Sequence, residues 1–499
     1  MEKSEIVSTK MIRGLGLKEA ITITVGTVVG VGLFTVGANG VGYLGPSIIW
    51  ATFAAFLFSI YPALLYAEMG AMLPYAGGTY NYAKFGVGKA WGFLAGWNFV
   101  ISLISVVSGE ALAFSNYLKL MFEGLGITIP VDERIIASLI IVLFIIINYR
   151  GVEIAGKWQN AFMFFFWGVS LIWFFIMLAH INIHNYAPFV GSASTSWREF
   201  IFVTSLVWWC FAGFETACAM GEEIQYPQIN IPRAMFLSPF IIFVVNAVFQ
   251  WFLLGIVPTS ELTMIQESAA PYAEAMKAAG ILGIPLVILC AGIAFGGDFS
   301  TLNAGVAAPA RYLFSMSRDG SLPPVFSKLH PKYKTPYVAV IFLGVITLLF
   351  VSTGSLIYIA SLSLFADLFY YIIGFMGAIG LRIKQPQLQR PYKAPMIKVG
   401  ATISIVAYII MTTQLPGDAV ITGVLWSVVG LILYYFWSRA NVDKDMPLGF
   451  ASSVLEQELP ELPSGEELVK LNKEYALWQK IVGIAFALAI MLYIIPYFY

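Results

Sequence analysis

Three cysteines and three histidines in 499 residues leave little material for a disulfide framework, a soluble metal centre or a histidine relay. Cys210, Cys218 and Cys290 all fall inside apolar segments; His180, His184 and His330 fall near segment ends or in connections. Charge is scarce too. Asp, Glu, Lys and Arg make up 11% of the chain, against about 25% in a soluble domain. The longest polar candidate for a soluble unit, 440–476, is short and rich in Glu, Leu and Pro. The G-x-x-x-x-G-K-[ST] pattern is missing, so energy from ATP through a P-loop is not expected. Neither an ordered nucleophile–base set nor a metal-ligand cluster is visible, which argues against an enzyme and calls for no cofactor. With a formal net charge of zero, nothing suggests a nucleic-acid partner.

What is present is hydrophobicity in blocks. Apolar residues fill 59% of the positions, in runs near the length that crosses a hydrocarbon core of ~30 Å. Twelve strong segments stand at 17–39, 46–68, 89–118, 134–150, 159–181, 201–220, 236–257, 281–314, 336–353, 356–380, 396–414 and 419–438, and a thirteenth at 477–498. Alternation and barrel-length strands are absent, so the fold class is an all-α polytopic membrane protein. Residues 1–18 are too polar for a signal core, so the first segment reads as a retained helix.

Lysine and arginine alternate between connections. One side carries 24 of them, from Lys3 to Lys480; the other carries Lys119, Arg134, Arg198 and Lys277. The positive-inside rule then predicts a cytoplasmic N-terminus and, after thirteen crossings, an extracellular C-terminus. The expected organisation is a cytoplasmic segment at 1–16, a transmembrane core at 17–438, a cytoplasmic linker at 439–476 and an extra helix at 477–499. That last helix has three readings: a dimer contact, a dock for an accessory subunit, or an anchor for the tail. A cell membrane fits the topology, and the lipid bilayer is a partner in any case.

Two segments carry signs of interruption. The first contains Gly26-Thr27-Val28-Val29-Gly30-Val31-Gly32-Leu33-Phe34. Glycine holds helices poorly and lets backbone approach a ligand. A break here would free amide N–H groups near the midplane to hold an anionic group. Close packing through Gly26 and Gly30 is the competing reading. The sixth segment contains Trp208-Trp209-Cys210-Phe211-Ala212-Gly213-Phe214-Glu215. Its small residues permit unwinding, and its rings either cover a solute or simply pack. Glu215 is costly in hydrocarbon, so it is expected to face a cavity or a partner. Breaks in segments 1 and 6 suggest two inverted five-helix repeats around one central site.

These residues, in this order, strongly resemble the amino acid–polyamine–organocation (APC) superfamily, specifically its amino acid permeases. The resemblance covers roughly residues 10–440. It rests on the Gly26–Phe34 motif; on Glu68, Met69, Gly70, Pro74, Gly77, Gly78 and Tyr80; on Asn148, Gly151 and Gln159; and on Phe211 to Glu215 with Glu222, Glu223, Pro227 and Ile231 to Ala234. Asn303, Arg311, Arg318, Asp319 and Gly320 continue it, and Arg390, Pro391, Tyr392 and Pro395 close it. The resemblance implies a LeuT-like fold. It implies that amides around Gly30, Val31 and Gly32, beside Thr27, bind a substrate carboxylate. Carbonyls around Phe211 and Ala212 would take its ammonium, Trp209 would gate, and Glu215 would link to gating. One departure stands out. Many relatives carry a lysine seven residues after the junction glutamine, linked to proton coupling; counting from Gln159 gives Phe166 here, so coupling through that lysine is not expected.

Further carboxylates sit at Glu110, Asp298 and Asp367 in segments 3, 8 and 10. Four readings compete: recognition of a substrate amine, binding of a coupled cation, carriage of a proton, and a structural hydrogen bond. A sodium site would draw on Gly26, Val29 and Thr301 with Asp298. Near segment ends, Glu68, Glu222 and Glu223 are candidates for an inner gate with Arg233 or Arg311, or for satisfied helix-end charges. The expectation is secondary transport of amino acids by alternating access, coupled to protons or sodium, with a polyamine or organic-amine carrier as the alternative. A channel would need a continuous polar pore.

Overall fold

In hydrocarbon every backbone N–H and C=O must bond within its own segment or a closed barrel, so long apolar runs become helices. The computed structural model describes residues 13–28, 30, 32–75, 77–150, 152–186, 196–333, 335–441 and 459–498. Among them there is no extended strand, only an isolated bridge between Leu15 and Ile224.

The chain begins with α1 (Leu17–Val28), α2 (Gly37–Leu44), α3 (Ile48–Met72), α4 (Gly78–Gly86), α5 (Lys89–Gly124) and α6 (Glu133–Arg150). It continues with α7 (Val152–Leu178), α8 (Trp197–Trp209), α9 (Thr216–Ala219), α10 (Pro227–Ile256), α11 (Pro271–Ala278) and α12 (Ile284–Gly292). Then come α13 (Phe299–Arg318), α14 (Tyr337–Val351), α15 (Leu356–Lys384), α16 (Ile397–Thr412), α17 (Gly417–Leu433) and α18 (Gly465–Ile494). Seven helical runs among the described residues are long and apolar enough to cross a membrane, and three further apolar helices are shorter. The molecule is therefore an all-α, multi-pass membrane protein.

Apolar segments 1, 6 and 8 are not continuous α-helix. In the first, α1 stops at Val28 and a π-helical stretch, Gly32–Val36, leads into α2. In the sixth, α8 ends at Trp209 and the chain turns through 210–215 before α9. In the eighth, a π-helical stretch, Ile293–Asp298, joins α12 to α13. The sequence reading anticipated the first two and missed the third.

The most enclosed spans are α5, α10 and α15, whose apolar windows are 78%, 78% and 72% buried, against 17% for α17 and α18. α15 packs on α5 and α4, and α10 packs on α3 and α1. Backbone meets backbone where α4 crosses α15. A Cβ on Gly86 would lie on the Gly377 carbonyl, 2.9 Å from its carbon, so only small residues allow that approach.

α18 docks on its own chain. Phe486 packs against Phe56, Phe240 and Phe243 with ring centroids 5.0–5.5 Å apart. Trp251 Nε1 donates to Leu492 O at 2.9 Å, and Tyr493 Oη donates to Ala247 O at 2.8 Å. At the polar end Arg233 donates to Leu471 O at 2.9 Å and stacks over Tyr475. The opposite face, with Leu477, Ile481, Ile484 and Leu488, is exposed, as suits lipid.

Candidate functional site

The two interruptions meet. Gly213 adopts φ +99°, a left-handed conformation that favours glycine, and a Cβ there would stand 3.3 Å from Thr27 Cγ2. The Cys210 thiol donates to Gly32 O at 3.0 Å. Each break thus supports the other, and both open onto one cavity. Thr27, Val28, Gly32, Trp209, Ala212, Gly213, Glu215 and Thr216 line it from these segments. Phe99, Ser102 and Glu110 of α5, Thr301 and Gly305 of α13, and Asp367 of α15 complete it. The centre of a water-sized sphere can move through about 60 Å³ of it, room for a few waters or part of a small solute.

Its polar groups are held from behind. The Gly213 amide donates to Tyr371 Oη at 3.0 Å, and that hydroxyl donates to Glu215 Oε2. Glu215 is thereby tied to α15. Trp209 Nε1 donates to Ser363 Oγ at 3.0 Å, fixing the indole against the cavity. Ser102 Oγ donates to Asp367 Oδ1 at 2.5 Å. Gly30 sits where a Cβ would run into Glu110 Oε1 and Thr301 Oγ1, with Glu110 Cδ 3.0 Å away. Glycine is what lets the first break lie against α5 and α13.

Of the residues singled out in the sequence, Thr27, Gly32, Trp209, Ala212, Glu215, Glu110 and Thr301 line the cavity. Phe211 is buried just outside, its amide donating to Trp208 O at 2.8 Å. Asp298 does not line the cavity; it is fully buried beside Glu110. Of the cation-site candidates, Gly26 O accepts from Ser300 Oγ at 3.5 Å. Val29 and Val31 lie outside the described residues. Ser102 was not expected in the site, and Asp367 stood among the intramembrane carboxylates whose role was open. Asp367 carried a signal, a carboxylate in an apolar run; Ser102 carried none.

Phe166 is buried against Phe34, centroids 5.3 Å apart, and fits tightly on Gly296, whose Cβ would fall 2.6 Å from Phe166 Cβ. Its place is filled by packed apolar rings.

The lysine- and arginine-rich end is drawn together under the cavity. Arg13 donates to Gly221 O at 2.7 Å and Ile224 O at 3.0 Å, and Gly14 and Leu15 amides bond to Glu223 O. Arg311 Nη2 lies 3.4 Å from Glu223 Oε1. Burial pulls the Arg13 pKa below its ordinary value, and Glu222 and Tyr75 push it back up. The pairing of Glu223 with Arg311 follows the sequence expectation. Glu68 follows the other reading, a satisfied helix-end charge, pairing bidentately with Arg382 at 2.8 and 2.5 Å, with Arg390 at 3.4 Å. Arg233 turns away to α18.

A family profile described as amino acid permease matches residues 15–437. The chain is similar to the branched-chain amino acid permease BcaP of Bacillus subtilis, 24% identical over 446 residues, covering 86% of this chain and 94% of that one. It is 25% identical to the methylthioribose transporter of the same organism, covering 87% and 95%. It is also 25% identical to the serine/threonine exchanger SteT of that organism, covering 84% and 96%. An all-helical multi-pass architecture and a family match over most of its length establish that this chain belongs to the amino acid permeases of the APC superfamily, with their LeuT-like fold and no catalytic role.

Proposed function

We propose that this protein is a secondary active transporter of amino acids that works by alternating access around the cavity between its two interrupted helices. The observation that carries the reading is the mutual support of the two breaks, Gly213 on Thr27 and Cys210 on Gly32, at one small cavity inside an apolar bundle. An interrupted helix offers amides at one cut end and carbonyls at the other. Amides around Gly30, Val31 and Gly32 hold the substrate carboxylate, and carbonyls around Phe211 and Ala212 accept its ammonium. Trp209 covers the bound solute, and Glu215, tied to Tyr371, passes movement of the sixth segment to α15. The two five-helix halves are inverted repeats, followed by two further spans and the extra helix. The core runs over 17–438, with the N-terminus cytoplasmic, 439–476 a cytoplasmic linker, and the end of the chain outside a cell membrane. The branched-chain permease and serine/threonine exchanger similarities favour a neutral amino acid as cargo.

A second reading has its own observation. Glu110, Glu215 and Asp367 all line the cavity. Three carboxylates suit a substrate with more than one ammonium, which favours a polyamine or another organic amine.

Purified protein in liposomes, loaded with unlabelled solute and challenged with labelled amino acids or diamines, tests both. Saturable amino-acid counterflow is expected, and Gly30→Ala should lower it at least tenfold, because its methyl displaces Glu110 and Thr301. Counterflow confined to diamines would replace the first reading with the second.

A further inference from the structure

We propose that Glu110 and Asp298 form a single proton-binding site between α5 and the π-helical stretch before α13, and that this proton is the coupling ion. The inference rests on the transport reading above and supplies its energy source.

α5 packs against the π-helical stretch, and in that contact the buried Glu110 and Asp298 carboxyl groups face each other. Glu110 is 1% exposed and Asp298 0%. Neither oxygen of Asp298 receives a hydrogen bond among the described residues. A buried carboxylate with no donor is costly, and a second carboxylate against it makes it more so. One proton removes both problems. The protonated carboxyl becomes the donor that Asp298 lacks, and an O–H···O⁻ bond between the pair is among the stronger hydrogen bonds in proteins. Such a pair titrates as a unit rather than as two separate acids.

Among the described residues, the groups around the pair offer no rival for the role. On α5, Tyr117 acts on Asp298, but its hydroxyl donates to Phe34 O at 2.9 Å. On α7, Phe166 seals the π-helical stretch at Gly296 and Gly297. On α13, Ser300 and Thr301 are neutral, and the first interruption faces the pair with Gly26 and Gly30. No lysine, arginine or histidine among the described residues acts on Asp298.

The position also explains how a proton reaches the transport cycle. Glu110 Cδ lies 3.0 Å from where a Cβ of Gly30 would be, so the carboxyl packs directly against the first break. Glu110 lines the substrate cavity as well, while Asp298 does not. Loading the pair with a proton draws Glu110 toward Asp298 and settles the backbone beside Gly32; losing it pushes Glu110 toward Gly30. The π-helical stretch, Ile293–Asp298, is what aims Asp298 at α5.

Proteoliposomes without sodium test this with labelled leucine, serine and arginine in two assays. Counterflow at equal pH reports transport itself; uptake against an acid exterior reports proton coupling. The wild-type protein should accumulate at least one of the three several-fold under the pH gradient, and a dye in the lumen should acidify as that amino acid enters. Asp298→Asn should lose at least tenfold of the driven accumulation while counterflow falls less than threefold. Should that variant fail to fold, the dye signal of the wild type decides. Counterflow without any response to pH, or accumulation that appears only when a sodium gradient is then added, would overturn the proton site and leave the transport reading standing. Absence of counterflow for every amino acid would remove that reading, and this one with it.

Discussion

The two ends of the bundle hold themselves together differently. At the lysine- and arginine-rich end, ion pairs are buried: Lys84 and Asp319 meet at 2.7 Å with side chains 5% and 4% exposed, and the Glu68 side chain is 3% exposed between Arg382 and Arg390. At the other end Lys277 reaches Glu123 at 2.8 Å and Lys119 reaches Glu133 at 3.2 Å, all four at least 29% exposed. A buried pair is costly to half-break, because the remaining charge has no water to return to. An exposed pair contributes little. The difference teaches which end is fastened here. The basic end closes with desolvated charge, and the opposite end with contacts that solvent can replace.

Breaking the buried side should have the largest effect. Asp319→Asn removes the anion that faces the Lys84 ammonium and turns one of the two oxygens that accept from Lys84, Tyr80 and the Ser321 amide into a donor, so the fold should lose about 3–5 kcal/mol. Thermal unfolding in detergent measures it; a loss under ~1 kcal/mol would mean that water already reaches the pair. Next comes Glu223→Gln, which removes a half-buried pair with Arg311 but leaves the backbone bonds of Gly14 and Leu15 to the Glu223 carbonyl. A loss of about 1 kcal/mol is expected, together with faster modification of a cysteine placed at Ala308, which lines the cavity, by a reagent added on the basic side. Unchanged reactivity there would show that Glu223–Arg311 is not part of the closure. The smallest effect belongs to Lys277→Ala, about 0.5 kcal/mol or less and weaker still in high salt. A larger loss would erase the contrast between the ends.

The sequence shows which stretches are helical and where two of them break, because both follow from local composition: apolar runs of spanning length, and glycines clustered within them. It also marks Glu215 as special, since a lone carboxylate in hydrocarbon must have a reason. What it hides is register and partnership. Asp298 ends a π-helical stretch in the eighth apolar segment and lies beside Glu110 rather than in the cavity, a change of register that no local pattern announces. Ser102 joins Asp367 across more than 260 positions, and Glu68 finds Arg382 across more than 300. Neither pairing leaves a local pattern.

The docking of α18 has a consequence for how the molecule comes to exist. Its Phe486 fills a hollow between Phe56 of α3 and Phe240 and Phe243 of α10, and the carbonyl of Leu492 is the acceptor for Trp251. Those partners leave the ribosome and enter the bilayer long before α18 is made. Until it arrives, lipid chains must occupy the hollow and the indole N–H of Trp251 must wait without that acceptor. Assembly of the α3–α10 face is therefore finished only once α18 has followed it into the bilayer, and a pause in translation after α17 would hold that face in an unsealed form.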